Sequence, residues 1–393
     1  MRTLIRNVRL FDGETVTESA NVPIDGTRIA EPDERPADVE IDGRGKTLLP
    51  GLIDAHTHTF DGDLAQALRF GVTTELDMFC LPGNLARQRR LAAERDDVAD
   101  LRSSGVLATA PGGHPSQIMQ SVDGDFGDAV GAFETVGAAP EEFVKARLAE
   151  GADYLKIVVD NGSVSGLDLP TLAPETVAAL VAAAHDAGLQ AIAHAVTVRD
   201  ALICLDAGVD GLAHVVCDAG PEQAEDLAGR IAAAGTFVVS TLSYFEAVTG
   251  DPRGAELLRD PRIASLLGDR VTDRDTSTIP VHPEGVPNAV HAAAALHRAG
   301  VPLLAGTDAN PWAPLHGASM HRELVLLVQS GLTPAQALAA ATSVPARHFA
   351  LTDRGRVAPG LRADLVLVSG DPTQDITATR DITAIWRNGT RLL

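Results

Sequence analysis

Four apolar segments of this 393-residue chain begin at glycine and end on a residue that can bind a metal ion or move a proton. They are Gly151-Ala-Asp-Tyr-Leu-Lys156, Gly188-Leu-Gln-Ala-Ile-Ala-His194, Gly208-Val-Asp-Gly-Leu-Ala-His214 and Gly300-Val-Pro-Leu-Leu-Ala-Gly-Thr-Asp308. A fifth, Leu48-Leu-Pro-Gly-Leu-Ile-Asp-Ala-His-Thr-His58, ends on His56 and His58. Strand side chains alternate with period two, so these two histidines leave one face together. Both reach one ion if the strand end is bent. Imidazole suits zinc and other late first-row divalent ions. Taken singly, each residue has a bland reading: a core or surface histidine, a helix-capping aspartate. Lys156 is the odd member, because a bare ammonium at the end of an apolar run is costly to bury. The six together read as a metal-ligand set.

The repetition says where they stand. Gly71-Val-Thr-Thr-Glu-Leu-Asp77, Gly105-Val-Leu-Ala-Thr109 and Gly235-Thr-Phe-Val-Val-Ser240 follow the same pattern. Each glycine follows a helix-like stretch that it can end in the left-handed conformation. The short Val-, Leu- and Ala-rich run after it reads as a strand buried on both faces. Helices open at Pro174-Glu175, at Thr197 with Asp200, and at Thr333-Pro334. Counting the segment that ends at His58 gives eight strands in an α/β rhythm. The expected architecture is a (β/α)8 TIM barrel, whose sites lie at the carboxyl ends of its strands.

A bare barrel needs roughly 250 residues, so the chain carries more. Residues 1–49 alternate like strands, with turns at Asp12-Gly13 and Asp25-Gly26; residues 356–393 do likewise, with a turn at Asn388-Gly389. Two short β pieces are expected to form one small β-sandwich domain from both termini. The barrel then spans 50–355. An insertion at 245–288, rich in Asp, Arg, Pro and Thr, is a candidate lid.

The run Pro50-Gly-Leu-Ile-Asp-Ala-His-Thr-His58 resembles the first metal motif of the amidohydrolase superfamily. Gly355-Arg-Val-Ala-Pro-Gly-Leu-Arg-Ala-Asp364 is similar to that superfamily's return into its small β domain. His316-Gly-Ala-Ser-Met-His-Arg-Glu323 and Gly331-Leu-Thr-Pro334 resemble its last barrel helices. More narrowly the chain resembles the imidazolonepropionase and prolidase-like branch. The resemblance implies two divalent ions, zinc by ligand type. His56 and His58 would hold the more buried ion, and His194 and His214 the second. Lys156 would bridge both as an N-carboxylated lysine. Asp308 would touch the first ion and act as the catalytic acid–base.

A hydroxide held between two divalent ions is a strong nucleophile near neutral pH. Asp308 can take its proton and pass it to a departing amine. The expected function is hydrolysis of amide-type C–N bonds in small substrates: N-acyl amino acids, Xaa-Pro-like dipeptides or cyclic amides. Alternatives are a mononuclear deaminase or imidazolonepropionase-type hydrolase, a carbamate, phosphotriester or lactone hydrolase, and a non-enzymatic scaffold. Lys156 argues against the mononuclear form, and retention of all six ligands against the scaffold. His114 is expected to polarise the scissile carbonyl or bind a substrate carboxylate. Tyr244 and His316 are expected to contact substrate.

A formal net charge of −21 argues against nucleic acid and anionic membrane as partners. Cys80, Cys204 and Cys217 cannot all pair, and no apolar run has the length of a membrane span. The cytoplasm is the default location. The partner is a small-molecule substrate, and a homo-oligomer stays open.

Overall fold

The computed structural model describes residues 1–121, 131–137, 139–249, 251, 253, 256–267, 284–311 and 313–393. The chain opens with β1 (Arg2–Phe11), β2 (Val16–Asp25), β3 (Arg28–Ile29), β4 (Val39–Asp42) and β5 (Lys46–Pro50). The β1–β2 turn forms because the Asp12 carboxylate accepts the amides of Glu14 and Thr15 at 2.9 and 2.8 Å. Gly13 supplies the positive φ of 105° that this turn requires.

Among the described residues eight parallel strands follow: β6 (Leu52–Thr57), β7 (Val72–Asp77), β8 (Asp100–Ser103), β9 (Leu155–Val158), β10 (Ala191–His194), β11 (Gly211–Leu212), β12 (Phe237–Val239) and β13 (Leu303–Leu304). They form a three-stranded sheet, β6-β7-β8, and a five-stranded sheet, β13-β12-β11-β10-β9. Isolated parallel bridges, Ala108 to Ile157 and Thr57 to Ala309, connect the two. Helices between the strands end as a parallel sheet needs. Pro140–Glu150 and Pro221–Ala234 stop at Gly151 and Gly235, whose φ of 87° and 71° close the last turn.

The chain then returns to its start through β14 (Leu365–Ser369), β15 (Ile382–Arg387) and β16 (Thr390–Arg391). β14 pairs antiparallel with β5 from Leu365–Pro50 to Ser369–Lys46, so both chain ends share one eight-stranded mixed sheet. Ile5, Val8, Leu48, Leu365, Leu367 and Trp386 form its core. Charge ties this sheet to the parallel strands. Asp100 of β8 meets Arg354, Arg362 at 2.9 Å and Arg387 at 3.7 Å, all largely buried.

Two expectations are corrected. The third strand runs over Asp100–Ser103, ahead of Gly105–Thr109, where only Ala108 makes a bridge. Its polar residues are satisfied by distant partners: Ser103 donates to Asp77 at 2.5 Å and its amide to Asp153 at 2.8 Å. The last strand pairs only at Leu303–Leu304, and single hydrogen bonds carry the chain on beside β6. Of the candidate lid, 250, 252, 254–255 and 268–283 lie outside the described residues. The part that is described packs down: Leu257, Ile263 and Leu267 cluster with Phe70 and Leu315. Among the described residues no helix is long and apolar enough to cross a membrane.

Candidate metal centre

The ends of β6, β10, β11 and β13 converge above Lys156, which is the second residue of β9 and not, as expected, its last. His56 is fully buried, and its Nδ1 lies 3.0 Å from the Ala213 carbonyl. That acceptor holds the proton on Nδ1 and leaves the Nε2 lone pair free. Nε2 faces Asp308 Oδ1 at 3.4 Å and Lys156 Nζ at 3.5 Å. His58 Nε2 lies 3.0 Å from the same Asp308 oxygen. The β6–β7 register shifts between Asp54 and Thr57, so the strand end is irregular where both histidines turn inward.

His194 and His214 repeat the arrangement. Their ring centroids are 4.4 Å apart, and His214 is 4.7 Å from His56. His214 Nδ1 lies 2.8 Å from Thr241 Oγ1, while its buried Nε2 has no hydrogen-bond partner among the described residues. His194 Nε2 lies 3.2 Å from Asp160 Oδ2, which leaves Nδ1 as the available ligand atom. Metal-binding histidines commonly commit their second nitrogen to a carbonyl, hydroxyl or carboxylate in this way. Ligand atoms of His56, His214 and Asp308 all lie within 4.8 Å of one another, and those of His114, Asp160 and His194 form a second such group. The donors fit divalent ions on both counts: a shared space between ligand atoms, and a buried imidazole nitrogen with nothing to bind.

The sequence makes this convergence in identifiable ways. A side chain at Gly306 would stand 2.4 Å from Val239 Cγ1 and 2.9 Å from the His56 amide. Only glycine lets the chain ahead of Asp308 run this close to β6. Asp54 pins the same junction, accepting from Thr307 Oγ1 at 2.6 Å, the Thr307 amide at 2.9 Å and the His56 amide at 3.2 Å. Burial, then the nearby Glu75, pushes the Asp54 carboxyl up to about 8. Asp308 itself sits at φ 56° and Thr241 at φ 44°, uncommon for residues with a side chain. Glu323 holds the turn around Thr241 by accepting the amides of Leu242 and Ser243 at 3.0 and 2.7 Å.

The electrostatics suit a cation. Burial, then neighbouring positive groups, keeps His56 and His214 well below the usual imidazole range, so both are neutral. Burial alone would raise the Asp308 carboxyl, but His56, His58 and Lys156 override it and hold it ionised. Lys156 is 2 % exposed, and burial brings its amine down to about 7 although Asp308 pulls the other way. Neutral imidazoles and an ionised carboxylate are the protonation states that metal ligation needs.

Beside this centre, His114 stacks on His194 at 5.2 Å, and its Nδ1 lies 2.9 Å from the Gln117 amide nitrogen. Burial, then His194, lowers His114 to about 4, so it is neutral. Tyr244 is half-buried, 5.9 Å from His214 between ring centroids, and burial raises its hydroxyl. His316 differs from the expectation of a substrate contact. It is 1 % exposed, with Nδ1 2.8 Å from Glu75 and Nε2 3.2 Å from Asp63. Burial opposes its charge, yet the two carboxylates raise it to about 9, making it a buried cation that locks β7 to the Asp63–Arg69 helix. Sequence reasoning missed Asp160, Thr241 and Gln117. Only Asp160 left a signal: an acidic residue four positions after Lys156, at the end of the same apolar run.

The model of the amidohydrolase family matches residues 47–392. Among curated proteins, the imidazolonepropionase of Paracoccus denitrificans (strain Pd 1222) is 28% identical over 352 residues, covering 82% of this chain and 79% of that protein. The imidazolonepropionase of Anaeromyxobacter dehalogenans (strain 2CP-1 / ATCC BAA-258) is 30% identical over 357 residues, covering 83% and 76%. Among solved structures, a Xaa-Pro dipeptidase with methionine bound in its active site superposes with a TM-score of 0.79, at 22% identity and 100% coverage of both chains.

Proposed function

This chain belongs to the amidohydrolase family and is a hydrolase of carbon–nitrogen bonds, and we propose that it is a binuclear, metal-dependent enzyme cleaving amide-type bonds of small substrates. His56, His58 and Asp308 would hold one ion and His194 and His214 the other, with Lys156 bridging as an N-carboxylated side chain. Two divalent ions, when bound, lower the pKa of water and polarise a carbonyl oxygen.

The residues supply the rest. Lys156, with its amine at about 7, offers a free lone pair near neutral pH. Its neutral Nζ can bond to the carbon of carbon dioxide and release one proton, turning a neutral buried amine into an anionic ligand. Asp308, held ionised, takes a proton during attack and returns it to the departing nitrogen. His114, neutral and stacked on His194, is placed to donate a hydrogen bond to the substrate carbonyl. Tyr244 lies beside His214, 5.9 Å between ring centroids.

The observation that carries this reading is the pairing of each inward imidazole nitrogen with a committed outer one, at His56, His194 and His214. Its test is metal content alongside hydrolysis of N-acyl amino acids, Xaa-Pro dipeptides and cyclic amides by the loaded enzyme. Turnover that tracks two ions per chain supports it; turnover without metal refutes it.

The two isolated bridges and the Xaa-Pro dipeptidase superposition favour a closed (β/α)8 barrel over 50–355, with 1–49 and 356–393 as the small β domain. The three buried free cysteines favour a reducing cytoplasm. The net charge favours small-molecule substrates over nucleic acid or membrane. The curated relatives, both imidazolonepropionases, favour the second reading, a mononuclear imidazolonepropionase-type hydrolase. One ion per chain with unmodified Lys156 would select it.

A further inference from the structure

Aromatic rings flank the metal-ligand set on two sides. The His58 ring meets Phe79 edge-on at 6.5 Å, and Phe79 meets Phe133 at 5.0 Å and 60°. On the other side Tyr244 and Phe245 lie 5.9 and 6.5 Å from His214 and 5.7 Å from each other. His58, Phe133 and Tyr244 are only partly buried, and Phe79, in contact with His58 and Phe133, is buried. Rings at these spacings and tilts make the edge-to-face surface that another aromatic group extends.

Asp160 and Asp308, both held ionised, stand beside the histidines, and the one basic side chain among the candidate ligands, Lys156, is buried. Described arginines of the neighbouring segments are engaged elsewhere: Arg253 with Asp251, Arg262 with Asp260, and Arg322 with Glu246. A substrate carboxylate set against the Phe79–Phe133 wall and turned away from the ions would lose its water with no described arginine or lysine there to receive it. An aryl or alkyl group would gain from burial.

We propose that Phe79 and Phe133 form a specificity wall that selects substrates carrying an uncharged aryl or alkyl group next to the scissile bond. This deepens the hydrolase reading and rests on it. Within the substrates considered above, it favours neutral amides and carbamates over N-acyl amino acids whose carboxylate points to this flank.

Three phosphonates separate the wall from the metals on the loaded enzyme: methylphosphonate, benzylphosphonate and phosphonoacetate, each measured by calorimetry. The phosphonate engages the ions in all three, and only the appended group differs. Benzylphosphonate should bind about tenfold tighter than methylphosphonate, and phosphonoacetate no tighter. In Phe133→Ala the benzyl-to-methyl ratio should collapse, while Phe133→Leu keeps part of it. Equal affinity for all three overturns the wall and leaves the metal reading standing, as does a ratio that survives Phe133→Ala. Tighter binding of phosphonoacetate also overturns it. Binding of none, with two ions present, overturns both readings.

Discussion

Asp160→Asn is the sharpest perturbation of the metal centre, because it changes charge and proton pattern without changing shape. Asp160 Oδ1 accepts the Gly162 amide at 2.8 Å, and Oδ2 takes the His194 Nε2 proton at 3.2 Å. An asparagine that keeps the first bond turns its NH2 toward His194, so two donors face each other in a buried pocket. The imidazole escapes by carrying its proton on Nδ1 instead, which removes the lone pair that would bind the proposed second ion. Loss of such an orienting partner costs about 10–100-fold in metal affinity, or ~1.4–2.8 kcal/mol. Competition against a chromophoric chelator resolves the two sites. The weaker class of site should lose affinity by that factor, while the class built on His56 and His58 is unchanged. Equal weakening of both sites, or of neither, would refute the tautomer argument.

Asp308→Asn should leave much of the metal bound yet abolish most turnover; near-normal rates would remove its acid–base role. Lys156→Ala should abolish the carbon dioxide adduct and the second ion together, and an unchanged metal count in that variant would sink the bridging assignment. His316→Asn tests a linkage whose sign is fixed. The native imidazole is raised from 6.5 to about 9, so its contribution is fully present below pH 6.5 and lost as pH rises through about 9. At the usual conversion that is on the order of 3 kcal/mol at most. Denaturant titrations should show a large deficit at pH 6 that shrinks above pH 9, whereas an equal deficit at both would contradict the buried-cation assignment. Asp100→Ala strands Arg354, Arg362 and Arg387 between the terminal sheet and β8. It should cost about 3–5 kcal/mol in a thermal melt yet leave turnover at low temperature near normal; an unshifted melt would show that the network carries no stability.

Much of the scaffold was legible because each glycine does one local job. Gly151 and Gly235 end helices in the left-handed conformation and hand the chain to a strand, which is visible as a repeated residue before an apolar run. The candidate ligands that follow such runs, His194, His214 and Asp308, were visible for the same reason. What escaped depends on contacts across the chain. β8 reads as polar, Asp-Leu-Arg-Ser, because its side chains are satisfied by Asp77 and by the arginines of the returning tail. Asp160, Thr241 and Gln117 act through single hydrogen bonds to histidines far away in sequence or across a turn. His316 looked like a mouth residue because it follows Asp308 closely. Its partner Glu75 lies 241 positions earlier, and no local pattern announces that pair.

The most direct measurement is the metal count per chain on protein purified without chelator, paired with an intact mass under gentle conditions. Two divalent ions per chain and a carbon dioxide adduct on Lys156 are the predicted result. One ion or none, with Lys156 unmodified after metal and bicarbonate have been supplied, would contradict a binuclear centre.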